Sequence, residues 1–455
     1  MNILYPLIAV PFVKLFGLSL AVYRLPMLII SVIAIYLFFY ALLKANLKSS
    51  KTFIIMMVIF LSPIMIEYSR WTVESNLFPH LMVIFISFLI LFINELEKSI
   101  NDKTAIVYWI LFNLIIAISA YAYSNTWIFL VFFIIGVYLF LIWKYKKRST
   151  KFIFISMSIL LIFIWPLILF IYVNYISHSQ MILFNRITIT KLTVNRSASQ
   201  FVIGHGNSLI AIKDNLINTF KILVTGDDGM PKNTLPFIGA FYPLMLTFAP
   251  IGFGFMVKRR MELINTVIFI SFFACLPGIA IILPNFTHLS PLMLPLLYME
   301  AIGVYYVCST QSAKIIFTGI FLSVLCIYIY TYFVTRDYDL HNTAQETPTE
   351  LKYAIYAANS LHRKVMIISP LGRSMYVVPR FYSPISPYKF NEIKANEKEV
   401  EHTYYRNYGK WYFDDHLDSQ PNKSWVYLVH DSSGTNNELR KMNSKKYGTY
   451  TLYWK

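Results

Sequence analysis

Between residues 68 and 79 the sequence reads Tyr68-Ser69-Arg70-Trp71-Thr72-Val73-Glu74-Ser75-Asn76-Leu77-Phe78-Pro79, with one apolar run ending in it and another beginning at once. Arg70 and Glu74 are four apart, a spacing that shares one face of a helical turn. A carboxylate held at such a border can orient or deprotonate a hydroxyl, and a planar, bidentate guanidinium can hold a phosphate. The same residues also suit an interfacial anchor, with Trp71 at headgroup level and a charge pair around it. Spacing alone does not separate the two readings.

A second polar set, Pro284-Asn285-Phe286-Thr287-His288, stands just before another apolar run. His288 can carry a charge that depends on pH, or it can be a satisfied interfacial histidine. Lys191, Arg196 and Lys232 lie in a long polar stretch and can draw in an anion, although loop lysines are more often simply solvated. Glu300 falls inside an apolar run, where a carboxylate is functional by default. It follows His288 by twelve residues, about 18 Å along a helix, which favours a packing or salt-bridge role. His205, between Gly204 and Gly206, has no partner at ligand spacing, so no metal site is expected. His430-Asp431-Ser432 reads as a turn after a strand more readily than as a triad fragment.

Composition names the kind of element that must hold these residues. Of 455 residues, 57% are hydrophobic and only 14% charged, with a mean hydropathy of +0.55. Soluble domains carry roughly a quarter charged residues, so much of this surface faces lipid. The net charge of +17 fits basic cytoplasmic loops. Nucleic-acid binding, the other reading of a basic chain, is disfavoured because the basic residues flank apolar runs. Three cysteines beside apolar segments give no disulfide framework and no redox site, and no cofactor is implied.

At about 20 apolar residues per span, ten spans are expected near 24–43, 52–68, 77–93, 105–123, 127–143, 152–173, 237–257, 264–283, 290–307 and 315–334. The segment from Ile3 to Phe16 is short and broken by Pro6 and Pro11, which suits an interfacial or re-entrant helix. The basic loops Lys44–Lys51, Lys144–Lys151 and Lys258–Arg260 fall on one side, assigned to the cytoplasm. Loops around 70–76, 123–126, 174–236 and 284–288 then face outward. So does the polar tail after about Val334. There Thr347-Pro348-Thr349-Glu350 is a capping-box pattern opening a helix toward His362. β-like runs follow at Lys364–Ser369, Tyr408–Phe413, Trp425–His430 and Thr449–Trp454. The expected architecture is a mainly α, polytopic bundle over 1–334 with a small extracytoplasmic α/β domain over 335–455.

The stretch from Tyr5 to Pro79 resembles bacterial protein O-mannosyltransferases and aminoarabinose transferases of the GT-C class. Leu15-Phe16-Gly17 ends a proline-rich helix, Arg24-Leu25-Pro26 opens a span, and Ser69 to Asn76 matches their Ser-Arg-Trp-x-x-acid-x-Asn loop. Lys191 to Arg196 and Asp228 to Asn233 are similar to segments of their large outer loop. The resemblance implies transfer of a sugar from a polyprenyl-phosphate carrier to a glycan, lipid or protein acceptor at the outer face of the plasma membrane. It implies Glu74 as a catalytic acid of the second loop, with Arg70, Asn76, His288, Lys191 and Arg196 toward substrate. Relatives often have arginine at the position of His288.

Those enzymes carry their principal acid in a first outer loop before the proline-rich helix. Here that helix begins near Met1 and no Asp or Glu precedes Glu67. The expectation is that this polypeptide alone has little or no transferase activity. The rival class is a non-catalytic membrane protein of glycan assembly, such as a flippase, a polymerase or ligase, or a partner subunit. A transporter would show paired half-repeats, and none is visible.

Overall fold

The computed structural model describes residues 2–98, 102–183, 186–192, 200–203, 207–230, 233–235, 238–335, 350–392, 406–417 and 420–455. The chain forms two compact units, Met1–Ile329 and Tyr330–Lys455.

The first unit is helical: α1 (Leu4–Phe16), α2 (Leu20–Lys44), α3 (Ser49–Phe60), α4 (Pro63–Arg70), α5 (Glu74–Lys98), α6 (Asp102–Ser119), α7 (Trp127–Tyr145), α8 (Lys147–Ile171), α9 (Ser208–Thr225), α10 (Phe248–Lys258), α11 (Leu263–Ile281), α12 (Ser290–Val307) and α13 (Gln311–Tyr330). Among the described residues seven helices are long and apolar enough to cross a membrane, and α3 with α4 makes an eighth, bent span. This is a multi-pass membrane bundle. The expected spans at 105–123 and 237–257 are shorter helices, described over Lys103–Ser119 and Met245–Lys258. Packing sorts the helices into layers. The most apolar stretch of α5 is 94% buried and that of α12 83%, against 17% for α8 and α13. The first two are therefore central, and the last two show most of their apolar surface to lipid.

The expected span 52–68 is corrected to a pair of helices bent by 58°. Pro63 cannot continue the hydrogen-bond ladder of α3 and instead opens α4 at its first turn. A break in the bilayer is tolerated only where other groups satisfy the freed backbone. Tyr242 Oη donates to the Leu61 carbonyl at 2.7 Å, Tyr328 Oη to the Pro63 carbonyl at 3.3 Å, and the Ile64 amide to the Ala240 carbonyl at 3.1 Å. The bend re-aims α4, which carries Glu67, Tyr68 and Arg70.

The stretch 174–236, expected as a polar loop, contains two short antiparallel strands, β1 (Met181–Leu183) and β2 (Ile187–Ile189), and the 18-residue α9. Asn207 caps its start by accepting from Leu209 and Ile210, and Gly226 ends it with φ +68. Asn215 fixes it to the end of α11, donating to the carbonyls of Ile279 and Ile282, both at 2.8 Å. Helix α10 meets α12 through glycines. A Cβ added at Gly252 would stand 1.8 Å from the Met299 carbonyl oxygen, and one at Gly303 2.1 Å from that of Phe248.

The second unit is α/β. Its sheet has the order β4-β5-β3-β6-β8-β7: β3 (Val365–Ile368), β4 (Asn407–Tyr408), β5 (Trp411–Asp414), β6 (Val426–His430), β7 (Asn443–Tyr447) and β8 (Tyr450–Trp454). β3 pairs in parallel with β5 and β6, and the outer pairings are antiparallel. The single run expected at 408–413 is corrected to two strands turning at Gly409, whose φ is +54. β7, with its exposed Asn-Ser-Lys-Lys sequence, has no apolar alternation to announce it. A helix over Leu351–Ser360 covers the sheet through Leu351 and Ile355. Thr347 to Thr349 of the capping-box pattern lie outside the described residues.

Candidate functional site

The loops of the first unit gather at two opposite ends of the bundle. At one end, Lys98 Nζ donates to the Lys44 carbonyl at 3.2 Å, Lys51 pairs with Glu262 at 3.2 Å, and Lys144 pairs with Glu97. At the other end stand the breaks after α4, before α7 and before α12, where the candidate residues meet.

Asp228 ties that second end together. Its Oδ2 accepts from the Phe286 amide at 2.9 Å and from Asn233 Nδ2 at 2.6 Å, while Oδ1 accepts from the Met230 amide at 3.0 Å. The peptide groups of Phe286 are held from both sides, because Tyr68 Oη on α4 donates to the Phe286 carbonyl at 2.7 Å. Asn285 closes the same turn by accepting from the His288 amide at 2.8 Å and from Thr287 Oγ1 at 2.5 Å. Beneath this arrangement, Glu67 is 3% exposed. It lines a cavity of about 10 Å³ with Trp71, Asn76, Asn233 and Phe286.

Glu74 opens α5, half-buried, close enough for its charge to act on Tyr123. Burial pushes the Tyr123 phenol up to about 12; a hydrogen bond with Thr287 opposes the shift, and the Glu74 charge adds to it. The Tyr123 ring stacks on that of His288, with centroids 6.2 Å apart, and Asn125 Nδ2 donates to its Oη at 3.2 Å. His288 Nδ1 donates to the Leu283 carbonyl at 2.5 Å. Burial holds its pKa below the ordinary value, with the hydrogen bond and the charge of Asp228 acting in the opposite sense. The ring is thus both hydrogen-bonded and stacked at the border of α12, and its burial favours the neutral form.

Arg70 and Glu74 do not lie on one helical turn, which corrects the reading from spacing. The chain leaves the helix at Trp71 (φ −86°, ψ 109°), so Arg70 ends α4 and Glu74 begins the next helix. Asn76 is buried, and its Nδ2 donates to the Trp71 carbonyl at 3.0 Å, closing this turn. Lys191 is exposed and makes no hydrogen bond or ion pair among the described residues, although Asn174 holds its neighbours Thr190 and Leu192. Arg196, Lys232 and His205 lie outside the described residues. Glu300 is 1% exposed on α12; its Oε1 has no hydrogen-bond partner and it pairs with no cation among the described residues. That corrects the salt-bridge part of its expected role. Glu67, Tyr68, Tyr123 and Asp228 are the additions made by the structure. Only Asp228 had a sequence signal, the Asp-Asp-Gly turn.

Ser124 and Asn125, which follow Tyr123 in the chain, line a groove of about 250 Å³ together with Trp127, Ile128, Ile171, Tyr175, Phe201 and Ile282. Apolar side chains dominate it.

No protein-family model matches this sequence, and no curated protein does. Among solved structures the chain is similar to ArnT from Cupriavidus metallidurans bound to undecaprenyl phosphate, with a TM-score of 0.48 and 10% identity. The similarity covers 79% of this chain and 58% of that one, so the chain spans less than two thirds of that structure's length.

Proposed function

We propose that this protein is a membrane glycosyltransferase that moves a sugar from a polyprenyl-phosphate carrier to an acceptor at the outer face. One observation carries the reading: a half-buried carboxylate, Glu74, stands with Tyr123 and His288 at one end of the bundle, next to an apolar groove of about 250 Å³. The groove suits an isoprenoid chain, and the polar cluster suits the reacting end. Glu74 is the group to orient or deprotonate an acceptor hydroxyl. Arg70, one residue past Ser69 at the end of α4, is the cation for the departing lipid phosphate. Asp228 shapes the loop and does not act on substrate, since both its oxygens already accept hydrogen bonds. The positive-inside rule puts this end outside the cell, and the C-terminal unit with it.

A second reading has its own observation. The cavity among Glu67, Asn76 and Phe286 holds only about 10 Å³, too little for a sugar. A non-catalytic protein of glycan assembly, binding the carrier without turning it over, also fits a groove beside a closed polar cluster.

Membranes containing the protein, supplied with radiolabelled polyprenyl-phosphate sugars, separate the two. Transfer of label that Glu74→Gln abolishes supports the enzyme and its site, whereas equal transfer by the variant sinks the assignment. Carrier binding without transfer, weakened by Ile282→Trp in the groove, supports the second reading.

A further inference from the structure

The opposite, basic end of the bundle has a cleft of about 630 Å³ that the proposed function leaves unused. This volume falls within the range of small-ligand sites, about 300–1,000 Å³. Its walls come from the α2–α3 turn, the ends of α5 and α12, and the α10–α11 turn. Four cations line it (Lys48, Lys51, Lys98 and Arg259) against two carboxylates, Glu97 and Glu262. Both carboxylates are already engaged, Glu97 by Lys144 and Glu262 by Lys51 and Arg259, each of the latter at 3.2 Å. Lys51 is only 8% exposed, an unusual depth for an ammonium group.

Two further features point to an anion. The Nδ2 of Asn94 is buried in the wall with no hydrogen-bond partner among the described residues. The first turn of α3 has no side-chain cap at Lys48, so its amides are free to face a negative group. The remaining walls are aromatic and apolar: Tyr298, Tyr305, Tyr306, Leu47 and Ile264. Arg259 lies over the Tyr306 ring, 5.1 Å from its centroid. Cations, tyrosines and aliphatic side chains at the end of membrane-spanning helices are what a phospholipid headgroup meets, and a cleft for a fully water-soluble anion has no use for the last of these.

We propose that this cleft binds the phosphodiester headgroup of an anionic phospholipid from the cytoplasmic leaflet, with Lys48, Lys51 and Arg259 around the phosphate and Glu262 competing for the same cations. The site lies across the bundle from Glu74 and does not depend on what Glu74 does.

The test uses the purified full chain in detergent, titrated with phosphatidylglycerol and, separately, with uncharged phosphatidylcholine, and bound lipid is counted by native mass spectrometry. Wild type is expected to retain phosphatidylglycerol in preference. Lys48→Gln with Arg259→Gln, both at exposed positions, is expected to weaken it roughly 25-fold, about fivefold per cation at an anionic lipid surface. Glu262→Gln is expected to tighten it, since the competing carboxylate is gone; a merely structural ion pair would give the opposite sign. Equal retention of the two lipids by wild type would overturn the proposal. So would unchanged binding in the double variant, weaker binding in Glu262→Gln, or displacement of the lipid by inorganic phosphate at equal concentration.

Discussion

Replacing Asp228 with alanine should loosen the outer end of the bundle without disturbing the spans. The carboxylate accepts from the amides of Phe286 and Met230 and from Asn233, at 2.9, 3.0 and 2.6 Å. A hydrogen bond to a charged group contributes about 1.5–3 kcal/mol. The Met230 contact lies on the exposed side of the loop and contributes least. The two contacts at Oδ2 then set a loss of about 3–6 kcal/mol in loop closure, roughly 150- to 25,000-fold in the opening equilibrium. Hydrogen–deuterium exchange in detergent reads this directly at the Phe286 amide, with amides in the middle of α5 and α12 as internal controls. Tyr68→Phe removes the other hold on the same residue and leaves the Phe286 carbonyl without its donor, at a cost of about 1–3 kcal/mol. Because both side chains hold Phe286, through the peptide groups on its two sides, the double variant should lose less than the sum. Exchange at Phe286 unchanged in Asp228→Ala, with α5 and α12 still protected, would refute this account of the loop.

Two other perturbations have defined directions. Gly252→Ala should force α10 from α12, because its Cβ would stand 1.8 Å from the Met299 carbonyl oxygen; Gly254→Ala, with open space around it, is the matched control. A loss of about 3 kcal/mol, at the upper end of ordinary overpacking, should appear as a lower unfolding temperature for the first variant alone. In the C-terminal unit, burial holds the His430 pKa below its ordinary value, with Asp431 opposing, and its ring packs edge-on against Tyr450 at 4.9 Å. A depressed histidine favours folding in its neutral form, so its contribution is complete above pH 6.5 and is lost as pH falls from 6.5 through the native value. Thermal melts of wild type should fall over that window more steeply than those of His430→Gln; parallel curves would assign the acid sensitivity elsewhere.

Hydropathy and loop charge suffice to locate each apolar segment, since twenty apolar residues have no other stable place. The same signals misjudge where such a segment bends. Ser62-Pro63 is one proline among several in the apolar runs, but Tyr242 and Tyr328, remote in sequence, supply the hydrogen bonds that permit a 58° break there. In the C-terminal unit the buried strands β3, β6 and β8 announce themselves by their apolar residues, whereas β7 pairs through its backbone and shows nothing in its side chains.

The sequence by itself determined that this is a membrane bundle with a polar α/β tail, and it marked Arg70, Glu74 and His288 as residues at the border of apolar segments. Local composition is enough for that, because transfer between water and lipid is settled segment by segment. Tertiary structure decided which of them meet. It placed Arg70 and Glu74 on different helices by ending one at Trp71, stacked His288 on Tyr123, turned Asn76 into the closure of a turn, and brought in Asp228 from a distant loop. These outcomes depend on backbone groups satisfied across the bundle, a requirement that no single stretch of sequence records.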